Sequence, residues 1–159
     1  MTFFGLPMHP LIVHATVVFV PLAALLVLAT TFNARLRERL GSIPMITAVI
    51  AAILTPLSTA TGEDLEHAVG EPGFDHAELG EMLAWFTIPL ALLVVAAWWL
   101  RRQDAGRAGI ARILSWVAAL VAVGALVMVG LIGHSGAQSA WCGQNKDFVK
   151  CQAAEGGGD

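Results

Sequence analysis

Charged residues are scarce in this sequence. Only 13% of its 159 residues are Asp, Glu, Lys or Arg, and 57% are hydrophobic. A soluble domain of this size carries about a quarter charged residues. The deficit therefore indicates that lipid, rather than water, surrounds most of the chain. The chain also contains no tyrosine, so one common radical or proton-relay residue is missing.

The motifs of several large enzyme classes are missing too. The sequence contains no Gly-rich phosphate loop, no Gly-x-Ser-x-Gly and no His-Glu-x-x-His, so hydrolytic and nucleotide chemistry are unsupported. It has no basic patch of the kind that binds nucleic acid. We therefore expect no nucleic-acid partner.

Four apolar runs contain no Asp, Glu, Lys or Arg: Leu11–Phe32, Ile43–Ala60, Met82–Leu100 and Ile113–Gly133. Each is close to the 17 to 25 residues that cross the hydrocarbon core as a helix. The sequence thus predicts an all-α, polytopic membrane protein, a four-transmembrane-helix bundle. Its expected spans are residues 10–32, 43–61, 81–100 and 110–134.

These spans predict one transmembrane domain, residues 1–136, followed by an outer-side tail, residues 137–159, with a flexible end. The first run lacks a basic leader and a small-x-small cleavage site, and it is longer than a usual signal core. We therefore expect it to be a span and not a removable signal peptide.

Seven of the nine basic residues fall at one end of the predicted bundle, the Arg end: Arg35, Arg37, Arg39, Arg101, Arg102, Arg107 and Arg112. An excess of Arg in short loops marks the cytoplasmic side. We therefore expect an N-out/C-out protein of the bacterial inner membrane, with both termini outside.

The longest polar interval, Gly62–Glu81, joins the second and third spans at the opposite end. It contains no Lys or Arg, and it holds seven of the twelve carboxylates: Glu63, Asp64, Glu66, Glu71, Asp75, Glu78 and Glu81. The sequence predicts an acidic loop on the outer side. Such a loop faces either a cation or simply water, and the residues leave both interpretations open.

Counting crossings places all five histidines at the same end as this loop, the His end: His9, His14, His67, His76 and His134. The strongest ligand candidates are His14, His76 and His134, because three different helices then offer one imidazole each at similar depth. His14 is flanked by apolar residues within a span, so we expect it to face the bundle interior and to have a partner.

Imidazoles suit several cofactors. They bind transition metal ions such as Cu, Fe or Zn, and two of them from different helices suit the iron of haem b. Gly80 and Gly130 lie four residues from His76 and His134, on the same helix faces. Their missing side chains would leave space for a flat macrocycle. The alternative is that these glycines ease helix packing.

Five further residues are candidates for additional ligands or for groups that orient a ligand: His9, Glu63, Asp64, His67 and Asp75. Each has a simpler interpretation. His9 precedes Pro10 and suits an interfacial helix cap, and His67 suits a solvated loop. Asp75 would orient His76 or cap the third span. Asp64 and His67 form only half of a di-iron motif.

Cys142 and Cys151 are the only cysteines, and both are expected on the outer side. Their spacing does not match the usual zinc motifs. In an oxidising compartment such a pair predicts a disulfide that closes a small loop. Metal ligation is the alternative.

Two stretches of the sequence resemble motifs of a bacterial membrane family called domain of unknown function 2231. They are Gly5-Leu6-Pro7-Met8-His9-Pro10-Leu11-Ile12-Val13-His14 and Gly133-His134-Ser135-Gly136-Ala137. The resemblance extends over residues 3–141 and implies that His9, His14 and His134 belong to the family's motifs. The chain departs from the family at Ala15-Thr16, where Phe-Pro is usual, and at Gly136-Ala137, where Gly-Gly and a nearby Tyr are usual. The resemblance implies no particular activity.

Three hypotheses follow from these residues. The first is a membrane protein that binds haem b or a transition metal for redox or metal handling. The second is a non-catalytic bundle that assembles with or stabilises a larger membrane complex. The third is a protein that responds to pH through its histidines. In each case we expect the lipid bilayer as surroundings, with a homo-oligomer or a larger membrane complex as the assembly.

Overall fold

Long helices make up most of the structure. The computed structural model describes residues 2–3, 6–69, 76–103 and 105–144, with side chains for 8–64, 78–103, 106–138 and 141. The helices are α1 (Met8–Phe32), α2 (Ala34–Leu40), α3 (Ile43–Val69), α4 (His76–Gln103) and α5 (Ala108–Gln144), with one 3-10 turn (Ala105–Arg107) before α5. Two two-residue strands, β1 (Thr2–Phe3) and β2 (Leu6–Pro7), pair antiparallel before α1.

Four of these helices are long and apolar enough to cross a membrane. The candidate spans are Met8–Phe32, Ile43–Asp64, Glu78–Gln103 and Ala108–Gln138. The predicted all-α, four-helix membrane bundle is therefore confirmed. Large apolar side chains cover its outside, among them Trp85, which is 80% exposed, and Leu120, which is 74% exposed. These side chains suit contact with lipid tails.

Small residues fill the centre of the bundle. The spanning helices contact one another in the ring order α1, α3, α4, α5 and back to α1. Many of the residues that are almost fully buried between them are alanines: Ala23, Ala24, Ala48, Ala51, Ala118, Ala122 and Ala125. Small side chains let helix backbones approach closely in a membrane, where no hydrophobic force draws helices together. Close packing thus fixes the rotation of each helix about its axis.

A short helix turns the chain between the first two spans. Asn33 begins α2, and its side-chain oxygen accepts a hydrogen bond from the backbone N–H of Leu36 over 3.1 Å. Gly41 ends α2 at a φ of 55°, a conformation that favours glycine, and its N–H donates to the Arg37 carbonyl over 3.1 Å. This turn positions Arg37 across the end of the bundle.

The helices at the His end are longer than the sequence predicted. The predicted acidic loop Gly62–Glu81 is helical over much of its length, because α3 continues to Val69 and α4 begins at His76. His134 does not end the fourth span, since α5 continues to Gln144 and includes the start of the predicted tail. Glycine is tolerated inside membrane helices, so Gly62 and Gly133 do not end these helices.

Candidate functional site

His9 packs between α1 and α3. Its Nδ1 lies 3.0 Å from the Ser58 carbonyl oxygen and 3.5 Å from the Thr61 hydroxyl. A Cβ placed on Gly62 would approach the His9 ring to 3.0 Å, so a side chain at that position would require the ring to shift by a few tenths of an ångström. The sequence favoured His9 as an interfacial cap. In the structure it is a half-buried contact that joins the two helices.

His14 lies on the outside of α1. The expectation that it faces the bundle interior is wrong, because its side chain is exposed. Its Nδ1 is hydrogen-bonded to the Pro10 carbonyl one turn earlier in the same helix. A carbonyl oxygen only accepts hydrogen bonds, so Nδ1 carries the hydrogen and Nε2 of the neutral ring has a lone pair available.

His134 lies on the outside of α5. It is exposed, as is Gly130 one turn before it. A Cβ added to Gly130 or to Gly80 would meet nothing within 4 Å. Both glycines therefore border open space, as a macrocycle would require, and as lipid-facing positions also do.

Several predicted site residues fall outside the described side chains. These are His67, His76 and Asp75 among the ligand candidates, and Cys142 and Cys151 of the predicted disulfide. The side chains of Glu63 and Asp64 are described and are exposed near the end of the second span. Among the described side chains, no group of three His, Cys, Asp or Glu is arranged to hold a metal ion.

A polar pocket lies at the Arg end, where the sequence indicated only the orientation of the chain in the membrane. It measures about 40 Å³ and is bordered by all four spanning helices and by α2. Its polar lining residues are Thr30, Thr31, Arg37, Arg101 and Ser115, and Trp98 also borders it. A signal was present in the sequence: Trp98 and Arg101 stand three residues apart, which places them on one helix face.

The two pocket arginines bond to neutral acceptors. Arg37 Nη1 donates to the Thr30 carbonyl over 3.3 Å. Arg101 Nη2 donates to the Ala111 carbonyl over 3.3 Å and also to the Ser115 hydroxyl. Arg102 stands over the Trp98 ring, with its Cζ 4.2 Å from the ring centroid, a cation–π contact. The Arg end therefore gathers positive charge around one opening.

Comparison with known proteins agrees with the resemblance seen in the motifs. The sequence matches a family described as "Predicted membrane protein (DUF2231)" over residues 5–146. The chain belongs to this family. The match includes both histidine motifs and all four spans. No curated protein and no solved structure matches the chain.

Proposed function

We propose that this membrane protein binds haem b or a transition metal ion (Cu, Fe or Zn) at its His end, for redox or metal handling. His14 and His134 are the proposed ligands, with His76 as a third. The observation that carries the proposal is the hydrogen bond between His14 Nδ1 and the Pro10 carbonyl. Metal-ligating histidines nearly always donate the second ring nitrogen to a carbonyl or carboxylate, which orients the first toward the metal.

Exposure also supports a ligand from outside the chain. His14 stands in a span among apolar neighbours and is exposed, and an ionisable group at such a depth is costly without a partner. His14 Nε2 and the His134 ring have no hydrogen-bond partner among the described residues. A cofactor on this outer rim, or one shared with a second copy in a homo-oligomer, would supply that partner.

The test is a spectrum with elemental analysis. The full chain is expressed with haem precursor and with added Cu, Fe and Zn, then purified in detergent. We expect a Soret band or a stoichiometric metal, lost in His14→Ala and in His134→Ala. A colourless, metal-free preparation of folded protein contradicts the proposal.

Two glycines distinguish haem from a bare ion. Gly130 shares a helix face with His134, whereas Gly133 is rotated away by about 100°, and neither has an atom within 4 Å of an added Cβ. Gly130→Leu would fill the space beside His134 and should prevent macrocycle binding but spare a metal ion. Gly133→Leu is the matched control and should spare both.

One observation favours the alternative of a non-catalytic bundle that assembles with or stabilises a larger membrane complex. His9, a histidine of the first family motif, is engaged in joining α1 to α3. If the protein is such a bundle and its histidines hold no cofactor, all single His→Ala variants should keep the association with the complex. Crosslinking in the native membrane would then recover a partner.

The orientation belongs to the same proposal. With the seven arginines cytoplasmic, both termini and the His end face outward from the bacterial inner membrane. Alkaline phosphatase fused after residue 144 should then be active. An inactive fusion with an active cytoplasmic reporter at the same position would reverse this orientation.

A further inference from the structure

We propose that the Arg end contains a binding site for a phosphate group, carried either by the headgroup of an anionic phospholipid or by free phosphate. The site is the pocket between Arg37, Arg101 and Ser115, bordered by Trp98. It lies at the end of the bundle opposite the proposed cofactor site and does not depend on that proposal.

The first argument is the uncompensated charge. Arg37 and Arg101 both line the same small pocket and carry charges of the same sign. Among the described residues, neither forms an ion pair with a carboxylate, and their bonds go to carbonyl and hydroxyl oxygens. Two like charges at the edge of a low-dielectric bundle are costly, so an anion between them is favoured.

The second argument is the supply of donors. Each guanidinium has five N–H groups in a planar fork. The described bonds use one terminal nitrogen of Arg37 and one of Arg101. The remaining N–H groups can donate to phosphate oxygens, which arginine recognises by paired, charge-assisted hydrogen bonds.

The third argument is position and size. Arg101 lies in the last turn of α4, and Pro44 and Gly41 border the pocket where the chain enters α3. This level corresponds to the membrane–water boundary, where basic pockets between helices bind lipid headgroups. A volume of about 40 Å³ accommodates a group of a few atoms. It is far below the roughly 300 Å³ or more of an ordinary ligand pocket.

The test compares two double variants of equal charge. Arg37→Gln with Arg101→Gln alters the pocket. Arg39→Gln with Arg112→Gln removes two exposed arginines of the same end that do not border it. Full-length protein in nanodiscs is titrated with short-chain phosphatidylglycerol, phosphatidylcholine or inorganic phosphate at constant ionic strength. Native mass spectrometry and tryptophan fluorescence report binding.

We expect wild type to bind phosphatidylglycerol or phosphate but not phosphatidylcholine. In the control pair, the loss of general surface attraction should lower the affinity roughly fivefold per arginine. In the pocket pair, the affinity should fall by at least about tenfold more than in the control, because charge-assisted hydrogen bonds are lost as well. If phosphatidylglycerol binds but inorganic phosphate does not, the site recognises a lipid headgroup. If inorganic phosphate binds but phosphatidylglycerol does not, the site is one for the free ion.

Two results overturn the proposal. One is wild-type protein that binds neither probe more tightly than phosphatidylcholine, and the other is an equal loss in the two double variants. If the Gln variants do not fold, Arg37→Lys with Arg101→Lys replaces them. This pair keeps the charge but loses the planar fork, so it should bind phosphate more weakly than wild type, and unchanged binding would also contradict the proposed site.

Discussion

The Arg end and the His end differ in how their polar side chains are arranged. At the Arg end, Arg37, Arg101 and Ser115 from three different helices border one pocket. At the His end, His9 is packed between two helices, whereas His14 and His134 lie on the outer surface. One end gathers its polar groups, and the other distributes them around the bundle.

Helix rotation explains the difference. Counting spans determines which end of the bundle a residue occupies, but each residue along a helix also turns by about 100° about the axis. Two residues at the same depth therefore face each other only if both helices present them inward. Arg101 is oriented toward Ser115 of α5, whereas the same packing leaves His134 of α5 outside.

The largest effect should come from a change to that packing. A Cβ on Gly124 of α5 would lie 2.6 Å from Cε1 of Phe86 on α4, so Gly124→Ala must displace the ring. We expect a loss of roughly 1–3 kcal/mol in the free energy of unfolding, measured by denaturant titration in detergent. Gly130→Ala is the control on the same helix. Since nothing lies within 4 Å of its added Cβ, it should be neutral or stabilising by up to about 1 kcal/mol. Equal stability of both variants would mean that this contact does not set the rotation of α4 against α5.

The sequence predicted the spans well because run length and missing charge are strong signals for a membrane helix. The sequence also encodes which face of α1 points into the bundle. Its buried positions Thr16, Val20, Ala23 and Val27 repeat at intervals of three and four. The stripe continues seven residues back to His9 and leaves His14 on the opposite face. In an apolar helix, however, lipid-facing and core-facing residues have similar hydrophobicity, so small size was the better guide.

The helix ends and the Arg pocket were harder to predict. Gly62 and the carboxylates that follow it indicated a loop, yet α3 continues through them to Val69, because glycine is tolerated inside membrane helices. The pocket depends on α2, whose cap at Asn33 and turn at Gly41 position Arg37. Span counting does not include such a short helix.

The two histidines of the first motif should differ in how much they contribute to the stability of the protein. His9→Ala removes the hydrogen bond to the Ser58 carbonyl and the contact with Gly62. We expect a loss of about 1–2 kcal/mol in the free energy of unfolding. His14→Ala, on the exposed face, should change stability by less than about 0.5 kcal/mol without a cofactor. Thermal unfolding in detergent compares the two. If His14→Ala were the more destabilising, the division of the His end into one structural and two outward histidines would be wrong.

The smallest effect on stability is expected for two threonines buried in the core, between the Arg end and the His end. The Thr87 hydroxyl is buried and has no hydrogen-bond partner among the described residues. The equally buried Thr55 hydroxyl donates to the Ala51 carbonyl over 2.8 Å. A buried hydroxyl without a partner costs free energy, whereas a bonded one contributes. Thr87→Val should therefore leave stability unchanged or raise it by up to about 1 kcal/mol, and Thr55→Val should lower it by about 0.5–1 kcal/mol.

Neither substitution should alter phosphate binding at the Arg end or a cofactor spectrum from the His end. A clear loss of either signal in Thr87→Val would show that the two ends are coupled through the core, and the contrast between them would then be a property of the whole bundle.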